Sequence, residues 1–172
     1  MILNRFFRKT PARERVVYEA IVAAARHPVP YENWGVADDV DGRFDMLSLH
    51  MFLALNRLKG EADRFRQNLV DEFFADMDRS LREMGVGDIS VGKKVRKMAE
   101  AFYGRVAAYD AALGQGKPSL VAALARNFFP AGGKTAAVAK LADYTFAVSS
   151  LLAETTTDSL TAGKIVFPEP RR

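Results

Sequence analysis

The stretch DMLSLHMFLALNRLK, Asp45 to Lys59, constrains the fold more than any other part of this chain. Residues of an α-helix advance by about 100°, and here the apolar ones reach nearly every side instead of following one stripe. A helix that is apolar all round has to be enclosed by other elements. Its longest apolar run, Met46 to Leu55, is about half of the ~20 residues that a bilayer span requires, and it contains His50. The stretch is therefore expected to be the buried central helix of a bundle.

The rest of the sequence supplies the enclosing helices, and no segment alternates as a half-buried strand does. Pro11 to His27 carries Val17, Ala20, Ile21 and Ala24 on one stripe, with Pro28 as its stop. An irregular segment rich in Pro, Gly and Asp leads into the central helix. After Gly60, Phe65, Leu69, Phe73, Met77, Leu81 and Met84 recur at helical spacing, and Gly85 suits the left-handed residue that closes a helix. Asp88 or Ser90 is expected to cap the next helix, whose stripe is Val95, Met98, Ala99, Phe102, Val106, Tyr109 and Leu113. A shorter helix over Ser119 to Phe129 follows, then a long one over Lys134 to Thr161 lined by Val138, Leu141, Ala142, Thr145, Val148, Leu152 and Thr155. The expectation is an all-α domain of about six helices spanning residues 11–164, with a glycine-linked helical hairpin. A basic segment, residues 1–10, precedes it. The tail IVFPEPRR, residues 165–172, cannot continue a helix and is expected to lie extended on the surface or to be disordered.

A chain of 172 residues can bury a core as one domain. It has no cysteine, which excludes disulfides, thiolate metal sites and cysteine nucleophiles. His27 and His50 lack the Glu-x-x-His spacing of a bundle di-metal site, and His50 is expected to be a buried histidine held by a hydrogen bond. The segment Gly87-x-x-x-x-Gly92-Lys93 approaches a phosphate loop but lacks the hydroxyl residue after its lysine, and it follows a helix where a phosphate loop follows a strand. Asp38, Asp39, Asp41 and Asp45 surround Gly42, but Ser48 stands where a calcium loop needs its glutamate, so capping by Asp41 or Asp45 is expected instead. No G-x-S-x-G elbow occurs. These readings point to a non-enzymatic protein with no metal and no cofactor.

What remains is charge and aromatic surface. The net charge is only +4 and the pI about 9.4, but cations cluster in two places: Arg5, Arg8, Lys9, Arg13 and Arg15 near the start, and Lys93, Lys94, Arg96 and Lys97. The second group is expected on an outward helix face suited to an anionic partner. Tyr31, Trp34 and Phe44 could line a groove for an apolar peptide or cap one end of the core.

Two stretches, WGVADDVDGRFDMLSLHMFLALNRLKG (Trp34 to Gly60) and FFADMDRSLREMGVGDISVGKKVRKMAEAFYGR (Phe73 to Arg105), resemble the ubiquinol-cytochrome c chaperone family. The likeness runs from about Val17 to Phe129. It implies an assembly factor for the respiratory cytochrome bc complex (complex III) that holds newly made cytochrome b before its hemes and partner subunits are in place. Mitochondrial relatives of this family work with a small partner protein and bind near the ribosomal tunnel exit. The resemblance thus implies as candidate partners cytochrome b or another subunit of the complex, the ribosome and a small partner protein, while the basic patches add an anionic membrane surface and exposed apolar side chains a second copy of the chain. Client contact is expected from Tyr31, Trp34, Phe44, Met51 and Phe52, and surface contact from Lys93, Lys94, Arg96 and Lys97. The expected location is the cytoplasm or the cytoplasmic face of the inner membrane. The competing reading is an RNA- or ribosome-binding regulator of cytochrome b synthesis, which the basic pI permits.

Overall fold

The computed structural model describes residues 12–132 and 134–172, and these form helices joined by short loops, with no strand among them. In chain order the helices are α1 (Ala12–Ala25), α2 (Pro28–Asn33), α3 (Val40–Arg57), α4 (Asp63–Glu83), α5 (Asp88–Gln115), α6 (Lys117–Phe128), α7 (Thr135–Glu154) and α8 (Thr157–Thr161). The six long ones are those expected, and α2 and α8 are additional short turns. Helix α3 is the core. Met46, Leu49, Met51, Phe52, Leu53 and Ala54 are all essentially inaccessible, and α1, α5, α6 and α7 pack around it. Burying each large apolar side chain is worth ~1.5–3 kcal/mol, so this single helix accounts for much of the stability of the fold.

Several helix boundaries differ from the sequence expectation for identifiable reasons. Pro28 does not merely stop α1: it opens α2, where a missing N–H costs nothing, and His27 Nδ1 accepts from the Val29 amide at 3.3 Å. Helix α3 begins five residues before Asp45. Its cap is Asp39, whose Oδ1 accepts from the Gly42 amide at 2.8 Å, so neither Asp41 nor Asp45 is the cap. Gly42 has a steric role here, since a β-carbon would sit 1.9 Å from the Ala37 carbonyl oxygen. The long helix expected through Thr161 breaks at Thr155, which turns to extended backbone. Arg57 stabilises the break by donating to the Leu152 carbonyl at 2.9 Å and the Thr155 carbonyl at 2.7 Å, and the Thr156 hydroxyl caps α8. Among the described residues α7 alone has the length and apolarity to cross a membrane, but Leu141, Val148 and Leu152 on its inner stripe are buried in this bundle.

The tail is extended, and it is docked onto the body. Ile165 and Pro170 are buried, Phe167 stands edge-on to the His50 ring with centroids 5.3 Å apart, and the Arg171 carbonyl accepts from Trp34 Nε1 at 2.9 Å. His50 is fully enclosed. Its Nδ1–H donates to the Met46 carbonyl at 2.8 Å, which leaves Nε2 to accept from the Tyr144 hydroxyl at 2.8 Å. Burial lowers its pKa to about 4, so the ring is neutral. The expected hydrogen-bonded core histidine is found, and Tyr144 is its partner.

Candidate functional site

Helices α4 and α5 make the hairpin expected around the glycine segment. Gly85, at φ +83°, closes α4: its amide donates to the Arg82 carbonyl and the Val86 amide reaches back to the Leu81 carbonyl at 3.0 Å. This pair of bonds satisfies the last carbonyls of the helix and reverses the chain. Helix α5 then starts after Gly87 with no side-chain cap. Asp88, expected as a cap, instead lies in the first turn and pairs across the hairpin with Arg82, which also holds Asp78 at 2.6 Å. Val91, in the first turn of α5, is fully buried.

On one side the hairpin does not close against its neighbours. A groove of about 580 Å³ runs between α1, the first turns of α3, the end of α4 and the start of α5. Its floor is apolar, with Val22, Leu47, Met77, Leu81 and Met98 among its residues, and its border carries Arg26, Arg43, Lys94 and Lys97 together with Asp41 and Asp76, Arg43 being paired with Asp38 at 2.8 Å. Methionine suits such a floor, because its flexible thioether adapts to varied apolar shapes. At the inner end Arg105 lies with its guanidinium 5.4 Å from the Phe44 ring centroid and its Nη2 2.6 Å from Asp45 Oδ1. Asp45 is buried, and that burial outweighs the pull of Arg105, raising the carboxyl pKa to about 6. Beside this pair, the Ser48 hydroxyl, Arg105 Nε and the Tyr109 hydroxyl are buried without hydrogen-bond partners. Buried polar atoms are rarely left so, and the core behind the inner end of the groove is thus polar and incompletely satisfied, whereas the groove floor is apolar.

The structure reunites part of what the sequence reading had kept separate. Phe44, a client candidate, and Lys94 and Lys97, from the basic face, line the same groove. Lys93 and Arg96 are exposed on the other side of α5. Trp34, Met51 and Phe52 are core residues at 3%, 0% and 1% exposure, so they offer no surface to a client in this conformation. Trp34 looked available because its segment reads as a loop; the docked tail and Tyr144, 5.5 Å away, enclose it. Tyr31 is half-buried away from the groove and donates to the Ala25 carbonyl at 2.7 Å. Of the N-terminal cations, Arg13 and Arg15 are exposed on α1, whereas Arg5, Arg8 and Lys9 lie outside the described residues. Sequence reasoning missed Arg105 and the use of Met98: Met98 sits on an apolar stripe that reads as ordinary packing, Arg105 is a single cation beside that stripe, and only the gap between helices distinguishes them.

Comparison with known proteins agrees with this architecture. The family described as Ubiquinol-cytochrome C chaperone matches residues 32–167. The chain is 27% identical over 100 residues to ubiquinol-cytochrome-c reductase complex assembly factor 1 of Xenopus laevis, a match covering 56% of this chain and 50% of that protein. It therefore spans about half the length of that curated relative. The crystal structure of the Cbp3 homolog from Brucella abortus superimposes with a TM-score of 0.84 at 44% identity, over 98% of this chain and 97% of that one.

Proposed function

Because the chain belongs to the ubiquinol-cytochrome c chaperone family, whose members assemble ubiquinol-cytochrome c reductase and are not enzymes, we propose that it holds newly made cytochrome b through the α1/α3/α4/α5 groove. The observation that carries this reading is an apolar floor bordered by Arg26, Arg43, Lys94 and Lys97 against only two carboxylates, Asp41 and Asp76. A membrane protein not yet assembled exposes apolar segments that need temporary cover. A half-open groove with a methionine-bearing floor can accept one and release it, because it lacks the shape lock of a closed core. The basic rim suits a client segment flanked by acidic residues or a carboxyl-bearing turn.

The test places charge on the groove. Val40 is 57% exposed, whereas Met98 is half-buried against the core on the groove floor, so Val40→Glu alone and the double variant Val40→Glu/Met98→Glu are both used, each after circular dichroism and urea unfolding show it folded. Two apolar contacts replaced by carboxylates should reduce recovery of cytochrome b with the tagged protein about tenfold or more. Recovery at the unmodified level by a folded variant would remove the groove from consideration.

A further inference from the structure

The tip of the α4–α5 hairpin carries a feature that the groove does not explain. Ile89 is 98% exposed and Met84 is 55% exposed, two large apolar side chains standing out at the same turn. Around the axis of α5, Ile89, Lys93 and Arg96 fall within an arc of about 60° at ~100° per residue, so the protruding isoleucine and two cations share one outward stripe. Lys94 and Lys97 flank it. Among the described residues none of these four cations has a carboxylate within 4 Å. The carboxylate of the first turn, Asp88, is already committed to Arg82.

Such a charge cluster works against local stability. Lys93/Lys97, Lys93/Arg96 and Lys94/Lys97 are like-charged pairs at helical neighbour spacing. Glu100 is the one carboxylate at helical neighbour spacing to them, three and four residues beyond Lys97 and Arg96, and it closes no ion pair with either, so the cluster points to a partner outside the fold. An apolar projection beside unpaired cations is the arrangement by which a peripheral protein binds an anionic lipid surface: the cations attract the headgroups and the apolar side chains enter the acyl boundary. Nucleic acid would satisfy the cations as well, but a phosphate surface offers nothing to Ile89 and Met84. The tip is also prepared for such a contact, since the Arg82 clasp and the Gly85 turn hold it in shape before it meets a partner.

We infer that the hairpin tip, Met84 and Ile89 with Lys93 and Arg96, is a docking point for an anionic membrane surface. Met84 and Lys94 also line the groove, so a docked tip places the groove mouth at the lipid surface, where an apolar client segment is met. The inference stands on the tip alone and does not require the groove to hold cytochrome b.

The experiment is co-sedimentation of the full chain with phosphatidylcholine vesicles containing or lacking phosphatidylserine, alongside capture on poly(U) RNA, in graded salt. The expected result is binding to the phosphatidylserine vesicles that weakens with salt, and little to phosphatidylcholine alone. Ile89→Asp and, separately, Lys93→Glu/Arg96→Glu should each reduce vesicle binding about tenfold. All three side chains are exposed, so folding is unaffected, and the groove is untouched. Failure of the folded protein to bind the anionic vesicles, whether or not it binds poly(U), overturns the inference. So does vesicle binding that Ile89→Asp leaves unchanged, because the contact would then be surface charge without insertion.

Discussion

Helix α3 ends two different polar centres in two different ways, and the contrast explains where this protein is finished and where it is open. Around His50, α7 and the C-terminal tail close over the ring, and both of its nitrogens have partners at 2.8 Å. One turn and a half earlier, around Asp45, helix α5 supplies Arg105; Asp45, Ser48 and Tyr109 are buried as well, but Ser48, Arg105 Nε and Tyr109 keep unpartnered polar atoms, and the groove begins on the outer side of Phe44 and Arg105. The same helix thus borders a fully paired centre on one side and an incompletely paired one next to the groove on the other. Residues that look functional in the sequence, such as Trp34, belong to the fully paired side, whereas residues that look like packing, such as Met98, belong to the groove side.

Three changes sharpen or break this contrast. The largest is Trp34→Ala, which removes an indole enclosed by Tyr144 and the tail together with the hydrogen bond to the Arg171 carbonyl. It should cost about 3–5 kcal/mol in urea unfolding and make the tail sensitive to protease; a loss below about 1 kcal/mol would show that the tail does not seal this side.

The second change uses pH, because the two centres titrate with opposite sign. His50 is held at about 4 against 6.5 for the free side chain. Its neutral form is the folded one, so its contribution is present above pH 6.5 and lost as pH falls toward 4. Asp45 is raised from 3.8 to about 6. The folded state retains its proton more tightly, so its contribution is present below 3.8 and lost as pH rises through 6. At ~1.4 kcal/mol per pK unit, each effect is about 3 kcal/mol and the two nearly cancel between pH 4 and 6. Asp45→Asn should therefore expose the histidine slope, with urea midpoints falling steadily as pH drops through this window, while His50→Phe should reverse it. Parallel midpoint profiles for the two variants would show that the centres are not distinct in the way described.

The smallest change is the pair Tyr144→Phe and Tyr109→Phe. Removing the Tyr144 hydroxyl leaves the buried His50 Nε2 without its donor and should cost about 1–3 kcal/mol. Removing the Tyr109 hydroxyl takes away an atom whose neighbouring amide, Asn127, is already bonded to the Ala123 carbonyl at 3.0 Å, and should cost less than about 1 kcal/mol. Equal losses from the two substitutions would mean that the groove end is as well satisfied as the His50 centre.

Much of this architecture is legible in the chain. The all-round apolar character of Met46 to Leu55 announced α3 as the centre, and the periodic stripe from Phe65 to Leu81 announced α4. Gly85 marked the turn, because only a left-handed residue lets the Val86 amide reach the Leu81 carbonyl. The caps were less legible: four aspartates crowd the start of α3, and Asp39 is the one whose carboxylate reaches the Gly42 amide, in a tight turn where Gly42 sits against the Ala37 carbonyl, a backbone geometry that composition does not reveal. The tail was legible only in part for a related reason. Two prolines exclude a helix, but whether an extended segment lies on the surface or packs against the body depends on a receptive site, and Trp34, His50 and Tyr144 form that site only after α3 and α7 have come together.

By itself, then, the sequence determined helicity, the order of the helices, which of them must be innermost and where cations accumulate, because each of these follows from periodicity and residue chemistry within one segment. Tertiary structure alone decided which stretches of each apolar stripe are covered. A stripe specifies the direction in which a helix seeks cover but not whether a neighbour reaches it, and the gap beside Met98 and the closure over Trp34 are both set by contacts between residues far apart in the chain.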